Sequence, residues 1–509
     1  MKKLPIGIQT FKDIRSDDYI YIDKTEIALD IVKSYRYVFL SRPRRFGKSL
    51  FLDTLRNIFE GKKELFKGLA IYDKWNWEET YPVIKISFKG SLHGKEEIEE
   101  RLRGILRNNE EDLDVKCNEK VAVYEFFAEL IKKASQRYNQ KVVILIDEYD
   151  KAILDNIDMV ERAHEAREFL RGFYSVIKGS DEYIRFAFLT GVTRFSKASI
   201  FSGLNMLTDI TLDERYGNVC GYTQKDLEES FKEYLNKING DLEKIKEWYN
   251  GYYFLKDKLY NPFDILQFFD KNGLFDNYWF ETGTPTFLIK LIKERNYFLP
   301  ALSNLKVDKK LLSSFDIENL DLEVILFQSG YLTIDEMIVD EDGDIAYKLK
   351  LPNREVKSSL HRFIVDYLYG DRSLRYKDLS KALKGRDMES FKVNLISLFA
   401  SIPYNNFVKN NISEYEGFYA SVLYAYLQSL GFDIEGEDVT NQGRIDLAVK
   451  LPDVIYLFEF KVIDEEPLRQ MKEKGYYQKY LSSGRDIYLV GIVFDREKRN
   501  IKNFIWEKM

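Results

Sequence analysis

Tyr37-Val-Phe-Leu-Ser-Arg-Pro-Arg-Arg-Phe-Gly47-Lys48-Ser49 and the residues that follow it decide the fold class of the first part of this chain. Four apolar residues, Tyr37 to Leu40, read as a buried strand, and Ser41 to Phe46 as a tight loop. Gly47-Lys48-Ser49 then opens an amphipathic helix with Leu50, Phe51, Leu55, Ile58 and Phe59 on its apolar side. Strand, loop, Gly-Lys-Ser and helix is the order that a phosphate-cradling loop requires. Loop N–H groups and the positive helix N-terminus face the anion. Lys48 would reach the terminal phosphates, and the Ser49 hydroxyl would ligate Mg²⁺. The usual pattern has a glycine five residues before Gly47, where this chain has Arg42. The bland alternative is an ordinary strand-to-helix turn, with a glycine for conformational relief and an exposed lysine.

A second stretch changes that balance. Lys141-Val-Val-Ile-Leu-Ile-Asp147-Glu148-Tyr-Asp150 contains five consecutive apolar residues, mostly β-branched, and ends in acids. Such a run fits a strand buried on both faces of a parallel sheet, and ligand sites in open α/β sheets lie at the carboxyl ends of strands. Coupled to the Gly-Lys-Ser loop, Asp147 would share the Mg²⁺ with Ser49, and Glu148 would activate the attacking water. Two further strands are read at Tyr81–Phe88 and Ile184–Leu189. The latter runs into Thr190-Gly-Val-Thr193-Arg194, where a polar side chain can sense the γ-phosphate. Arg194 reads either as a cation for transition-state charge, in cis or across a subunit interface, or as a solvent-facing loop arginine. Strands alternating with helices, with an extra strand between loop and acidic strand, predict a parallel three-layer α/β sheet reaching about residue 215.

Composition narrows the chemistry. A chain of 509 residues is too long for one core. Two cysteines and three histidines exclude a zinc cluster and argue against a disulfide framework, leaving carboxylates, lysines, arginines and hydroxyls for catalysis. The net charge of −6 gives no global argument for nucleic-acid binding. No apolar stretch is long enough for a transmembrane helix, and the N-terminus lacks a signal-like apolar region, so a cytoplasmic protein without membrane partners is expected.

The middle of the chain is mainly helical. Thr223-Gln-Lys-Asp226 reads as a helix cap, and a hairpin is expected around Asp340–Asp344. The aromatic turns Trp248–Phe254 and Tyr260–Asp264 read as packing anchors. Residues 308–370 suit a small helix-plus-wing module, with a boundary near Ser401–Asn411.

A second constellation lies near the C-terminus. A helix is expected over 414–430, where Ser413 and Glu416 fit a capping box and Glu416 reads equally as an active-site acid. Val454-Ile-Tyr-Leu-Phe-Glu459-Phe-Lys461 is a strand interrupted by charges. Burying Glu and Lys costs several kcal/mol unless they are paired or serve a metal. Their i, i+2 spacing puts both on one face, with Phe458 and Phe460 on the other, and Asp446 can lie opposite across a hairpin. Two carboxylates and a lysine suit Mg²⁺ or Mn²⁺ and a phosphodiester; an exposed Glu–Lys pair on an edge strand is the alternative.

Taken together, Ser41–Ser49, Leu145–Asp150, Thr190–Lys197 and Ile200–Asn205, with Glu416-Gly-Phe-Tyr, Gly443-Arg-Ile-Asp446 and Phe458-Glu459-Phe-Lys461, resemble the AAA-ATPase-like family of bacterial proteins with a C-terminal PD-(D/E)XK nuclease-superfamily domain. The resemblance implies a P-loop ATPase domain (1–215), a helical lid (216–305), a helical, winged-helix-like region (306–404) and a restriction-endonuclease-like α/β domain (405–509). It implies ATP bound by Arg42, Pro43, Arg44, Arg45, Phe46, Gly47, Lys48 and Ser49, with Arg42 in the glycine's place as in the family. Arg44 and Arg45 remain open between phosphate contacts and solvated loop charges. Asp446, Glu459 and Lys461 match the nuclease motif, while Gln470 and Gln478 compete for a later polar role. The expected function is ATP hydrolysis joined to metal-dependent cleavage of DNA, in DNA processing or defence, with a homo-oligomer as one arrangement. The alternative is a regulatory NTP switch whose nuclease-fold domain binds nucleic acid or protein without cutting.

Overall fold

Tyr37–Ser41 forms a strand, β1, buried along its whole length. It pairs in parallel with β4 (Ile184–Gly191) on one side and β5 (Thr208–Asp209) on the other. β3 (Val142–Asp147) is likewise buried throughout and lies between β4 and β2 (Val83–Ser87). The sheet order is therefore β2-β3-β4-β1-β5, all parallel. In the computed structural model of the chain, the residues described are 1–88, 90–194, 204–280, 288, 292, 297–303, 305–312, 321–366, 376–402, 416–462 and 466–509. The expectations placed on Phe195–Lys197, on Ile200–Gly203, on the Ser413 cap and on a boundary at 403–411 lie outside them.

The strand order refines the reading of an extra strand between the loop and the acidic strand. β2 holds that place in the sequence but sits at the sheet edge, whereas β4 separates β1 from β3 in space. Its end, Thr190-Gly191, lies beside Leu40-Ser41, so the loop after β4 leaves the sheet next to the phosphate-type loop.

The helix Lys48–Phe59 packs on β3 and β4. Its Asp53 is buried, accepting from the Phe11 N–H at 2.8 Å and pairing with Lys85 Nζ of β2 at 2.8 Å. That acid fixes the helix to both the N-terminal segment and the sheet. Helices Lys95–Asp112 and Val123–Tyr138 pack on β2 and β3 respectively. The expected helix near 26–34 is Thr25–Ser34, with Asp23 accepting from both the N–H and the hydroxyl of Thr25. Thr223 and Asp226 form the capping box read from sequence, at the head of helix Gln224–Ser230. A short hairpin of β6 (Asn250–Tyr253) and β7 (Lys258–Tyr260) follows. These elements belong to a unit made of Met1–Trp279 and Val307–Ile334.

The other unit comprises Phe280–Lys306 and Asp335–Met509. Two strands have residues in both units, β8 (Leu305–Asp308) and β9 (Thr333–Val339); β10 (Ile345–Lys350) follows, with the expected turn between β9 and β10 closed by the Asp340 N–H to the Asp344 carbonyl at 3.0 Å. The C-terminal sheet is mixed: β11 (Asp433–Thr440), β12 (Gly443–Lys450), β13 (Val454–Lys461), β14 (Asp486–Asp495) and β15 (Asn500–Lys508), in that spatial order. Only β13 and β14 pair in parallel; the other neighbours are antiparallel. Phe458 and Phe460 stack on one face of β13, against Phe391 and Phe494. Ile455 and Leu457 point the other way, into a cluster with Met471, Tyr476 and Tyr480. Among the described residues, no helix is long and apolar enough to cross a membrane.

Candidate functional site

Gly47 has φ +96°, a left-handed conformation that favours glycine, and lets the chain turn from the loop into the helix. Lys48 is buried, and its Nζ donates to the carbonyls of Arg42 and Pro43 at 2.9 and 2.8 Å. Burial lowers its pKa, and the charges of Asp147, Asp150 and Glu148 oppose that shift. Ser49 stands in the first helical turn.

Arg42, counted in the ATP-binding loop on the resemblance, has a side chain that is 1% exposed and committed within the protein. It donates to the carbonyls of Ser41, Thr211, Tyr216 and Gly217 and lies over the Phe254 ring at 4.1 Å. In the glycine's place stands a strut that closes the base of the loop. Pro43 is buried, and the carbonyl of Arg44 accepts from Trp279 Nε1 at 3.1 Å and Asn261 Nδ2 at 3.4 Å. Arg45 has φ +60° and stacks on Phe263 at 4.0 Å, while Phe46 is fully buried against Tyr252 and Phe254. Arg44 and Arg45 are exposed at the loop surface.

Parallel pairing brings the acids to the same sheet edge as the loop. Asp147 ends β3 and is 4% exposed, and its Oδ1 is buried with no hydrogen-bond partner among the described residues. Glu148 follows at φ +54°, its pKa raised first by burial and then by the charge of Asp147. Asp150, to which sequence reasoning gave no role, is fully buried. Its Oδ2 accepts from the N–H of Val192 at 2.9 Å and from the N–H and hydroxyl of Thr193 at 2.5 and 2.6 Å. The acidic turn therefore fixes the loop after β4. The Thr190 hydroxyl donates to the Leu40 carbonyl at 2.9 Å. Arg194, read as a cation for transition-state charge, is paired with Asp209 at the end of β5, and its N–H donates to Gln328 Oε1 at 3.0 Å.

In the C-terminal sheet the hairpin brings Asp446 to β13 as expected: its Oδ2 accepts the Phe460 N–H at 2.8 Å. Glu459 is 2% exposed. Its Oε1 accepts from Gln470 Nε2 at 2.7 Å and lies 3.3 Å from Lys461 Nζ, whereas its Oε2 is buried without a partner among the described residues. Of the two glutamines weighed from sequence, Gln470 is thus the one that reaches the acids; Pro467 at the start of helix Pro467–Glu473 was the available signal. Glu416 also arrives, at the head of helix Glu416–Ser429, with Oε1 3.3 Å from the Val462 N–H and Oε2 3.8 Å from Lys461 Nζ. Burial, then mutual repulsion, raises the pKa of Glu459; burial is also the main cause for Asp446. Although burial opposes it, the charges of Glu459, Glu416 and Asp446 raise the pKa of Lys461.

Both places fit a hard divalent cation in one respect: each holds a buried carboxylate oxygen, Asp147 Oδ1 or Glu459 Oε2, that no donor among the described residues satisfies. Among the described residues no three His, Cys, Asp or Glu side chains close into a ligand cage. A cation held by one or two carboxylates, with water completing its shell, matches that donor count and is how Mg²⁺ is commonly bound.

Residues 5–201 match the family model of a predicted AAA-ATPase, and residues 414–504 that of the PD-(D/E)XK nuclease superfamily. The uncharacterized protein in the vnfD 5′ region of Azotobacter chroococcum mcd 1 is 44% identical over 517 residues, spanning 100% of this chain and 99% of that protein. The ordered motifs, the parallel sheet with its loop and acidic strand, and the mixed C-terminal sheet agree with both matches: the chain belongs to the AAA-ATPase-like proteins that carry a C-terminal PD-(D/E)XK nuclease-superfamily domain.

Proposed function

We propose that this protein is a cytoplasmic ATPase whose nucleotide cycle gates Mg²⁺- or Mn²⁺-dependent cleavage of DNA by its C-terminal domain, in DNA processing or defence. The observation that carries the reading is the pair of unsatisfied carboxylate oxygens, each in a site that also holds a lysine with little solvent exposure. At the first site Lys48 exchanges its loop carbonyls for the terminal phosphates of ATP, Ser49 and Asp147 hold Mg²⁺, and Glu148 takes the proton of the attacking water. Arg194 leaves Asp209 to meet transition-state charge, from the same subunit or from a neighbour in a homo-oligomer. At the second site Asp446 and Glu459 hold the cation, Gln470 fixes the Glu459 carboxylate, and Lys461 steadies the attacking water or the developing charge on the phosphodiester. The bound cation supplies charge neutralisation and a more acidic water.

The test incubates the full chain with DNA and Mg²⁺ or Mn²⁺, with and without ATP, beside Lys48→Ala, Asp446→Ala and Lys461→Ala. Metal-dependent cutting lost in the last two variants, with ATP dependence lost in the first, is the expected result. Intact DNA with sustained ATP turnover would refute cleavage and favour the regulatory switch. Cleavage unchanged in Lys48→Ala would refute gating.

A further inference from the structure

We infer that Gln328 is a positioning residue for ATP turnover, holding the backbone of Arg194 still while its guanidinium moves between Asp209 and the nucleotide; the inference rests on the nucleotide reading above. Arg194 lies three residues beyond the end of β4. Three consecutive main-chain N–H groups of that run are gripped by side chains. Those of Val192 and Thr193 donate to Asp150 Oδ2 at 2.9 and 2.5 Å, and that of Arg194 to Gln328 Oε1 at 3.0 Å.

The amide of Gln328 is set for this role. It is 5% exposed. Its Nε2 donates to the Leu312 carbonyl at 3.2 Å and lies 3.5 Å from the carbonyl oxygen of Arg194. An N–H on one side and two carbonyls on the other determine which end of the amide is which. One side chain thus meets both polar groups of residue 194, as a paired strand would.

The support comes from an element that also rests on the phosphate-type loop. Gln328 lies in the last turn of helix Leu322–Ser329, and Gly330 ends that helix at φ +93°. Gly330 is packed so closely that a Cβ built on it would lie 2.6 Å from Pro43 Cβ. Pro43, Thr211, Arg194 and Gln328 line one narrow cleft. A single helix end therefore spaces the Arg194 backbone from the loop.

The guanidinium is held differently. It pairs with Asp209, and the two side chains keep 21% and 17% of their surface exposed. Asp209 is tied into the loop base: it accepts the Thr211 N–H at 2.8 Å, and the Thr211 hydroxyl oxygen accepts the Ser41 N–H at 3.0 Å. An ion pair open to solvent costs little to break. With its backbone fixed and its head group weakly held, Arg194 can swing by side-chain torsions alone and still arrive where charge develops. A buried amide that only satisfied a loop N–H would make the same bonds. The two roles differ in whether removing Gln328 acts through Arg194.

Steady-state ATPase assays of the full chain with Mg²⁺, on wild type, Gln328→Met, Arg194→Ala and the double variant, form a cycle that decides this. Methionine keeps the length of glutamine and removes its polar end. Gln328→Met should lower kcat about tenfold with KM within about twofold. Once Arg194 is alanine, the same substitution should change kcat by less than about twofold. Gln328→Leu carries the cycle if circular dichroism finds the methionine variant unfolded. A tenfold loss in both backgrounds makes the role structural and overturns the proposal. So does a folded Gln328 variant with wild-type kcat, or a loss that appears in KM instead. Wild-type kcat in Arg194→Ala removes the role of Arg194 and the proposal with it. A wild type that turns over no ATP overturns the hydrolysis reading on which the proposal rests.

Discussion

Replacing Asp150 should separate nucleotide binding from turnover. One carboxylate oxygen receives the N–H groups of Val192 and Thr193 and the Thr193 hydroxyl. Val192 and Thr193 are 9% and 4% exposed, so solvent offers little replacement. Asp150→Ala strands two backbone donors at about 1–3 kcal/mol each, or roughly 2–6 kcal/mol together. Burial raises the Asp150 pKa, so the wild-type charge already carries a desolvation cost that alanine relieves. That places the net loss toward the lower figure. Asp150→Asn keeps an acceptor oxygen at neutral strength and should lose only about 1 kcal/mol. Urea unfolding measures these losses, and steady-state ATPase assays measure function. The alanine variant should show reduced kcat, because the loop carrying Thr193 and Arg194 is released, with ATP affinity held by the untouched Lys48 loop. Asparagine should restore most of the turnover. An alanine variant within about 1 kcal/mol of wild type, or one losing affinity as much as turnover, would refute this positioning role.

Two further perturbations have defined outcomes. Gly330 has φ +93°, and a Cβ there would lie 2.6 Å from Pro43 Cβ; Gly330→Ala should cost about 1–3 kcal/mol in urea unfolding and weaken ATP binding by displacing the loop. His361 is fully buried, its Nδ1 2.6 Å from the Lys357 carbonyl, and burial pushes its pKa down to about 4. The unfolded chain binds the proton first, so stability falls as pH drops from about 6.5 toward 4, by roughly 3 kcal/mol in all. A His361→Leu variant should show a flatter pH dependence of denaturant unfolding over that range; an unchanged slope would contradict it.

Much of the chemistry was legible because it is local. The Gly-Lys-Ser turn, the acids ending a β-branched run and the i, i+2 pair Glu459 and Lys461 each lie within a few residues, where periodicity and burial cost act directly. What escaped depends on distant pairings. The order that inserts β4 between β1 and β3 is fixed by crossovers that no local pattern encodes. An arginine in the glycine's place says nothing by itself about where its side chain goes. Arg42 meets carbonyls 169 to 175 residues further on, which become visible only once the chain has folded. Arg194 and Asp209, Asp53 and Lys85, and Gln470 and Glu459 follow the same logic, each joining elements that are separate in sequence.

The bond from the Phe460 N–H to Asp446 has a consequence for how this domain can evolve. A main-chain donor is present whichever residue occupies position 460, proline excepted. The ring of Phe460 meanwhile belongs to the opposite, aromatic face of the strand. Substitutions that repack that face can accumulate without loosening the acid, so long as the β12–β13 register holds. Drift in the core is thereby insulated from the acid cluster, and the vulnerable element is strand alignment, since a one-residue slip would remove the donor and turn Glu459 and Lys461 to the wrong side at once.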